Sequence, residues 1–123
     1  MTLGEKQRIF TRLVGILIEW AYRNGYEITL GEAYRTPEQA ALNAKKGTGI
    51  ANSLHTQRLA IDLNLFKNGV YLTDSEDYKQ LGVIWKSMSE SGFKCCWGGG
   101  FRDAKGNPKP DGNHFSIEHG GIK

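Results

Sequence analysis

Two histidines and two aspartates occupy positions where they could share one catalytic site. His55 precedes a predicted strand that carries Asp62, and Asp111 comes three residues before His114 at the start of the last predicted strand. Neutral imidazole nitrogens and carboxylate oxygens are suitable ligands for a borderline-soft divalent ion. Three protein ligands would leave a fourth position for water, whose pKa a metal can lower to roughly 7. A nearby carboxylate could then move the proton, and an arginine could stabilise the resulting oxyanion.

The hydrophobic pattern predicts the elements that must position these residues. Thr2 and Glu5 form a capping box at the start of a long amphipathic helix, and Thr36-Pro37 is typical of a second helix start. Asp74 or Ser75 would cap a third helix. The predicted helices cover residues 2–23, 36–47 and 74–92, and the predicted strands cover residues 26–34, 59–66, 70–72 and 114–118.

The connections between these elements contain the strongest turn signals. Asn68-Gly69 predicts a hairpin turn, residues 47–53 predict a loop, and Trp97–Pro110 predicts a long loop of the kind that often has a function. One side of the strand at 59–66 carries Ala60, Asp62 and Asn64, which is an unusually polar face. The sequence therefore predicts an α+β fold, with helices packed on a small, mainly antiparallel sheet.

Composition limits the classes of function. The chain has 123 residues, 24% of them charged, a net charge of +3 and a pI of about 8.9, which predicts one compact domain with a mild preference for acidic partners. It contains no run of basic residues, so we expect no nucleic-acid partner. The apolar stretch Leu13–Tyr22 is interrupted by Glu19 and is too short for a membrane span of roughly 20 residues. The adjacent Cys95 and Cys96 are predicted to be free, partly buried thiols.

Four motifs in the same order resemble one known family. Residues 53–62, SLHTQRLAID, resemble the S-x-H-x-x-G-x-A-x-D signature of the VanY-like D-Ala-D-Ala carboxypeptidase family of zinc peptidases. That family includes the L-alanyl-D-glutamate endopeptidases that phages use as endolysins. Residues 111–115 resemble its second signature, residues 97–99 its Trp-Gly-Gly element, and Tyr34-Arg35-Thr36 the position of its early arginine.

The resemblance implies a role for each matched residue. His55, Asp62 and His114 would bind one Zn²⁺ ion, Asp111 would be the general base, and Arg35 would polarise the carbonyl or hold the oxyanion. Two further residues are implicated in substrate binding: Ser53 would contact substrate or orient the first ligand, and Trp97 would help to form the cleft.

One residue departs from the family pattern. Arg58 stands where the signature usually has glycine, and a positive φ would strain an arginine. We interpret it as a subgroup variation that affects the local loop and substrate preference more than the metal site.

The residue types also permit less specific interpretations. Without the motifs, His55 could be a loop histidine, Asp62 an edge-strand charge and Asp111 a residue that shapes the Pro110–Gly112 turn. Glu118 is the alternative base, since it would share a strand face with His114. Arg35 and Trp97 could be ordinary ion-pairing and packing residues, and we expect His119 to lie at the surface or behind the ligands.

The expected function is a zinc peptidase that hydrolyses the L-Ala-D-Glu bond of peptidoglycan. A chain of this length with no signal peptide and no separate wall-binding domain is expected to be a monomeric phage endolysin, made in the host cytoplasm and released to the wall. The alternatives are a D-Ala-D-Ala carboxypeptidase or dipeptidase of the same family, and a non-catalytic zinc-containing binding module. Nucleic-acid binding is a more distant alternative.

Overall fold

Helices and strands alternate irregularly along the chain, and they build an α+β fold as predicted. The computed structural model describes residues 1–123. Three α-helices span Leu3–Arg23 (α1), Pro37–Lys46 (α2) and Lys79–Ser87 (α3). Five strands span Tyr26–Leu30 (β1), Ala60–Lys67 (β2), Val70–Tyr71 (β3), Cys95–Trp97 (β4) and His114–Ile117 (β5). Short 3-10 helices cover Leu54–Gln57, Ser75–Tyr78 and Gly98–Gly100.

The long helix α1 provides one wall of the core. Thr2 caps it and forms the predicted capping box with Glu5, each side chain bonding the other residue's backbone N–H. Its buried side chains recur at helical spacing and pack against the sheet and α3. These buried residues are Phe10, Val14, Leu17 and Ala21.

The sheet places the polar residues of two strands side by side. Its strand order is β1-β2-β5-β4, with β3 paired to β2, and every pair is antiparallel. The register sets Asp62 of β2 directly opposite His114 of β5. Because alternate residues of a strand face opposite sides, Leu63 and Phe115 enter the core while Asp62 and His114 share the other face.

Several predicted boundaries were wrong. The first strand ends at Leu30 rather than Tyr34, although Asp62 N–H still bonds the carbonyl of Glu32. The third helix is divided into the 3-10 turn Ser75–Tyr78 and α3, and α3 ends at Ser87 rather than near Gly92. The predictions missed strand β4, which contains both cysteines; these are free and buried.

The predicted long loop is a hairpin over much of its length. Arg102 pairs with Pro108 in an antiparallel bridge, Asp103 N–H bonds Asn107 O, and Lys109 N–H bonds Phe101 O. We call residues 101–109 the basic hairpin. None of the helices combines the length and apolar character that a membrane span needs.

Candidate active site

Three local structures bring the predicted ligand side chains together. Asp62 and His114 come from paired positions of β2 and β5. His55 lies in the 3-10 turn Leu54–Gln57, whose N-cap is Ser53; the Ser53 Oγ accepts a 3.2 Å hydrogen bond from His55 N–H. The side chain of Ser53 is therefore placed to orient His55, as one of its predicted roles required, and the residue also lines the cleft.

The distances between the three side chains suit a small ion. Asp62 Oδ1 lies 3.5 Å from His55 Nε2 and 3.5 Å from His114 Nδ1, and one ligand atom from each residue lies within 4.8 Å of the others. A tetrahedral ion with ligands at about 2.1 Å separates neighbouring ligand atoms by about 3.4 Å. The side chains could therefore hold a divalent ion with little movement.

Hydrogen bonding leaves ligand atoms of this cluster free. His55 Nδ1 lies 3.0 Å from the carbonyl of Ala33, so the N–H is assigned to Nδ1 and the Nε2 lone pair faces Asp62. Asp62 Oδ1 is buried and has no hydrogen-bond partner. A buried acceptor without a partner is costly, and coordination of a cation would satisfy it. The donor set of two imidazoles and a carboxylate fits zinc.

Burial and nearby charged or polar groups shift the pKa values of Asp62 and His55. Burial alone would raise the pKa of Asp62, but the imidazoles of His114 and His55, each 3.5 Å from Oδ1, hold it down at about 2. Burial lowers the pKa of His55, but the nearby Asp62 carboxylate and the hydrogen bond to the Ala33 carbonyl outweigh burial, so the pKa is raised. Asp62 is thus an anion at neutral pH and is ready to accept a cation.

Asp111 lies beside this cluster without belonging to it. Its Oδ2 is 3.9 Å from His114 Nδ1, and its side chain is 55% exposed to the cleft. Partial desolvation raises its pKa, in spite of the opposing field of His114. A carboxylate with a raised pKa next to a metal-binding cluster is suited to accept and return a proton.

The loop that carries Asp111 is held against the rest of the site. Asp111 N–H donates to Gly98 O at 2.8 Å, and a Cβ at Gly98 would lie 2.1 Å from the Asp111 carbonyl oxygen. Only glycine fits that close approach. Gly112 N–H donates to Ser75 Oγ at 2.9 Å, which fixes the loop from its other side.

Trp97 also fixes this loop, which differs from its predicted place in the cleft. Its indole packs on Gly82 of α3, where a Cβ would lie 2.2 Å from the ring, and it is not among the residues that line the cleft. The indole N–H donates a 2.7 Å hydrogen bond to Gly112 O, next to Asp111. Trp97 therefore supports the loop that carries Asp111.

Replacing Trp97 with phenylalanine tests that placement. The change removes the N–H donor and leaves the Gly112 carbonyl without this partner, so we expect the free energy of unfolding to fall by about 1–3 kcal/mol. We expect kcat to fall about tenfold, because a displaced catalytic group loses its geometry, while zinc content stays stoichiometric. Trp85→Phe is the matched control, since the Trp85 N–H donates to Ser116 O in the core. Equal kcat losses in the two variants would contradict a specific role for Trp97.

Arg35 reaches the cleft through contacts that the sequence did not reveal. Its side chain is only 15% exposed, lines the cleft and forms an ion pair with Glu32. Its backbone N–H donates to His55 O at 3.1 Å, and Glu32 Oε1 lies 3.9 Å from His55 Nδ1. Glu32 therefore connects the arginine to the first histidine. The only sequence signal for it was its position three residues before Arg35.

The remaining candidates lie outside the cleft. Strand β5 ends at Ile117, so Glu118 leaves the face of His114, and its carbonyl accepts a hydrogen bond from Lys6 Nζ. His119 Nδ1 lies 3.3 Å from the same ammonium. Neither residue lines the cleft that contains Asp111.

Arg58 adopts the backbone conformation that glycine would favour. Its φ is 55° and its ψ is 36°, and it ends the turn that carries His55. The left-handed conformation costs a non-glycine residue roughly 1–2 kcal/mol. Its guanidinium stacks over the Tyr34 ring at 4.1 Å, a contact that offsets about 0.5–1 kcal/mol. The substitution at the family glycine is thus accommodated without loss of the turn.

One open cleft of about 840 Å³ is lined by the three clustered side chains, Ser53, Asp111 and Arg35. Its floor is the cluster of His55, Asp62 and His114, and Asp111 and Arg35 lie on its walls. The side chains combine a cluster that could hold a cation, a carboxylate with a raised pKa and a largely buried guanidinium, the groups that metal-assisted hydrolysis requires.

Comparison with protein families supports this interpretation. The family model described as D-alanyl-D-alanine carboxypeptidase matches residues 46–117, which include the cluster and Asp111. The chain belongs to this family of zinc peptidases. Membership accounts for the order of the motifs, and it makes the chain a metallopeptidase of a family that acts on peptidoglycan.

Two solved structures share the fold of this carboxypeptidase-family chain. The L-Ala D-Glu endopeptidase ChiX of Serratia marcescens is 20% identical with a TM-score of 0.70, and the match covers 94% of this chain and 85% of ChiX. A zinc-bound variant of the vancomycin resistance D,D-pentapeptidase VanY, from the VanB-type cassette, is 19% identical with a TM-score of 0.54. That match covers 87% of this chain and 69% of VanY. No curated protein sequence matches the chain significantly.

Proposed function

We propose that this protein is an endopeptidase that hydrolyses the L-Ala-D-Glu bond of the peptidoglycan stem peptide, as phage endolysins do. The observation that carries the proposal is the cluster of His55, Asp62 and His114 on the floor of an open cleft, with Asp111 at 3.9 Å from His114. The choice of bond is supported by the likeness to ChiX, which extends over most of both chains.

Five residues that line the cleft have roles in the proposed reaction. His55 Nε2, Asp62 Oδ1 and His114 Nδ1 would hold one zinc ion, which supplies an activated water and polarises the scissile carbonyl. Asp111 accepts the proton of the attacking water and donates it to the departing amine of D-glutamate, so the carboxylate is regenerated. Arg35 donates hydrogen bonds to the carbonyl oxygen as negative charge develops there.

Digestion of purified peptidoglycan tests the bond. Mass spectrometry of the products should detect new amino-terminal D-glutamate, which disappears with a chelator and returns when zinc is added. Release of D-alanine instead would show that the protein cleaves the terminal bond, as a carboxypeptidase does, and would overturn the proposed choice of bond. If folded, zinc-containing protein produces no new termini in peptidoglycan, the result would favour the alternative of a non-catalytic binding module.

Zinc affinity should fall as the pH is lowered. Both imidazoles must be neutral to bind the ion, so protons compete with it. Because the pKa of His55 is raised, competition should begin above the ordinary histidine value of about 6.5. Competition with a coloured chelator between about pH 5 and 8 measures this dependence. A zinc affinity that is constant over this range would contradict the ligand assignment.

A further inference from the structure

The charged residues that line the cleft differ in sign from the centre to the edge. At the centre, Asp62 and Asp111 supply the only two carboxylate side chains among the lining residues. Glu32 already pairs with Arg35. Every other charged side chain along the cleft is a cation: Arg102, Lys109 and Lys123.

Two of these cations lie on the legs of the basic hairpin. Arg102 lies opposite Pro108, and Lys109 lies opposite Phe101 at the base of the hairpin, where Lys109 N–H bonds the Phe101 carbonyl at 2.8 Å. The Phe101 ring packs on the imidazole of His114, with 5.3 Å between centroids. The hairpin is thereby fixed to the cluster, and its two cations are held at a defined side of the cleft.

Both cations are available to bind an anion. Neither Arg102 nor Lys109 forms an ion pair within the protein, and both side chains are exposed. One guanidinium N–H of Arg102 bonds the Gly106 carbonyl at 2.9 Å, which holds the side chain while leaving its other donors free. A held guanidinium and an ammonium are the groups that bind carboxylates.

The proposed substrate carries its carboxylates on one side of the scissile bond. The D-glutamate that supplies the departing amine has a free α-carboxylate on the same carbon, and the following diamino acid can add another. The residues on the other side are L-alanine and an uncharged amide-linked sugar. Charge complementarity therefore assigns the acidic side of the substrate to the hairpin.

We propose that Arg102 and Lys109 bind the free α-carboxylate of D-glutamate and make the enzyme selective for stem peptides in which this group is not amidated. The inference rests on the proposed function, since it names the part of that substrate which the hairpin recognises. This contact would also fix the direction of the bound peptide, because the departing acidic segment would lie against the basic hairpin, residues 101–109.

Two substrates that differ at one group test this selectivity. They are an N-acylated L-Ala-γ-D-Glu-diaminopimelate peptide and the same peptide with the D-glutamate α-carboxylate converted to an amide. We expect the wild-type protein to favour the free acid about tenfold in kcat/KM, since exposed charge pairs each contribute modestly. R102Q/K109Q should bring the ratio close to one through a higher KM for the acid. K105Q is the matched control, because Lys105 lies at the hairpin tip and does not line the cleft.

Binding without turnover separates this inference from the proposed function. Calorimetry would measure the affinity of zinc-loaded protein for the γ-D-Glu-diaminopimelate dipeptide, the acidic product. Loss of about tenfold in affinity in R102Q/K109Q but not in K105Q supports the hairpin site, even if the wild-type protein cleaves a different bond. An unchanged acid-to-amide ratio, or equal dipeptide affinity in R102Q/K109Q and wild type, overturns it.

Discussion

Replacing Asp111 with asparagine should abolish most turnover while leaving the zinc in place. The carboxylate is not one of the three clustered ligands, and its pKa is raised by partial desolvation, which favours its accepting a proton. Asparagine has the same shape but cannot accept the proton. Loss of general acid–base catalysis of this kind lowers kcat by about 10²–10⁴-fold.

The loop geometry makes this variant interpretable. Backbone hydrogen bonds hold the loop, from Asp111 N–H to Gly98 O and from His114 N–H to Asp111 O, and asparagine retains both. Kinetics on a stem peptide, together with metal analysis of the same sample, would measure the effect. Glu118→Gln is the matched control, because Glu118 lies outside the cleft and its loss should leave kcat unchanged. Full activity of D111N with an inactive E118Q would transfer the base role to Glu118.

Local sequence signals predicted the starts of α1 and α2 well, because each of these starts depends on a few adjacent residues. Thr2 and Thr36 both accept hydrogen bonds from the third residue of their helices. Gly47 ends α2 in the left-handed conformation, and Asn68-Gly69 form the hairpin turn with both φ angles positive. In each case the side chain or φ preference acts on its own backbone.

Elements that depend on distant partners were predicted less well. Strand β4 is only three residues long, and it forms because Cys95 and Trp97 pair with Ile117 and Phe115 of β5. Nothing in its local pattern identifies it as a strand. The ends of β1 and α3 were also predicted wrongly, since element boundaries are poorly determined by local propensity.

The three candidate metal ligands could be named from the sequence because the four motifs, in their order, resemble those of one family. Its supporting contacts could not be predicted in the same way. Glu32 reaches Arg35, Ser75 reaches Gly112, and Trp97 turns its N–H toward the Asp111 loop, all through the folded geometry. A tryptophan near a cleft can line it or brace it, and only the direction of its indole distinguishes the two.

Replacing His114 with alanine should remove both the zinc and the activity. His114 supplies Nδ1 at 3.5 Å from Asp62, and without it only His55 and Asp62 remain to hold the ion. Because an ion that binds only the folded state stabilises it, zinc at about a thousand times its Kd should add about 4 kcal/mol to the wild-type free energy of unfolding. H114A should lack this gain, and its activity should fall by at least about a thousandfold, because zinc supplies the nucleophile. Metal analysis and thermal unfolding with and without zinc measure both effects.

His119→Ala is the control, since His119 contacts Lys6 away from the cleft. Stoichiometric zinc in both H114A and H55A would contradict the assignment of the three ligands.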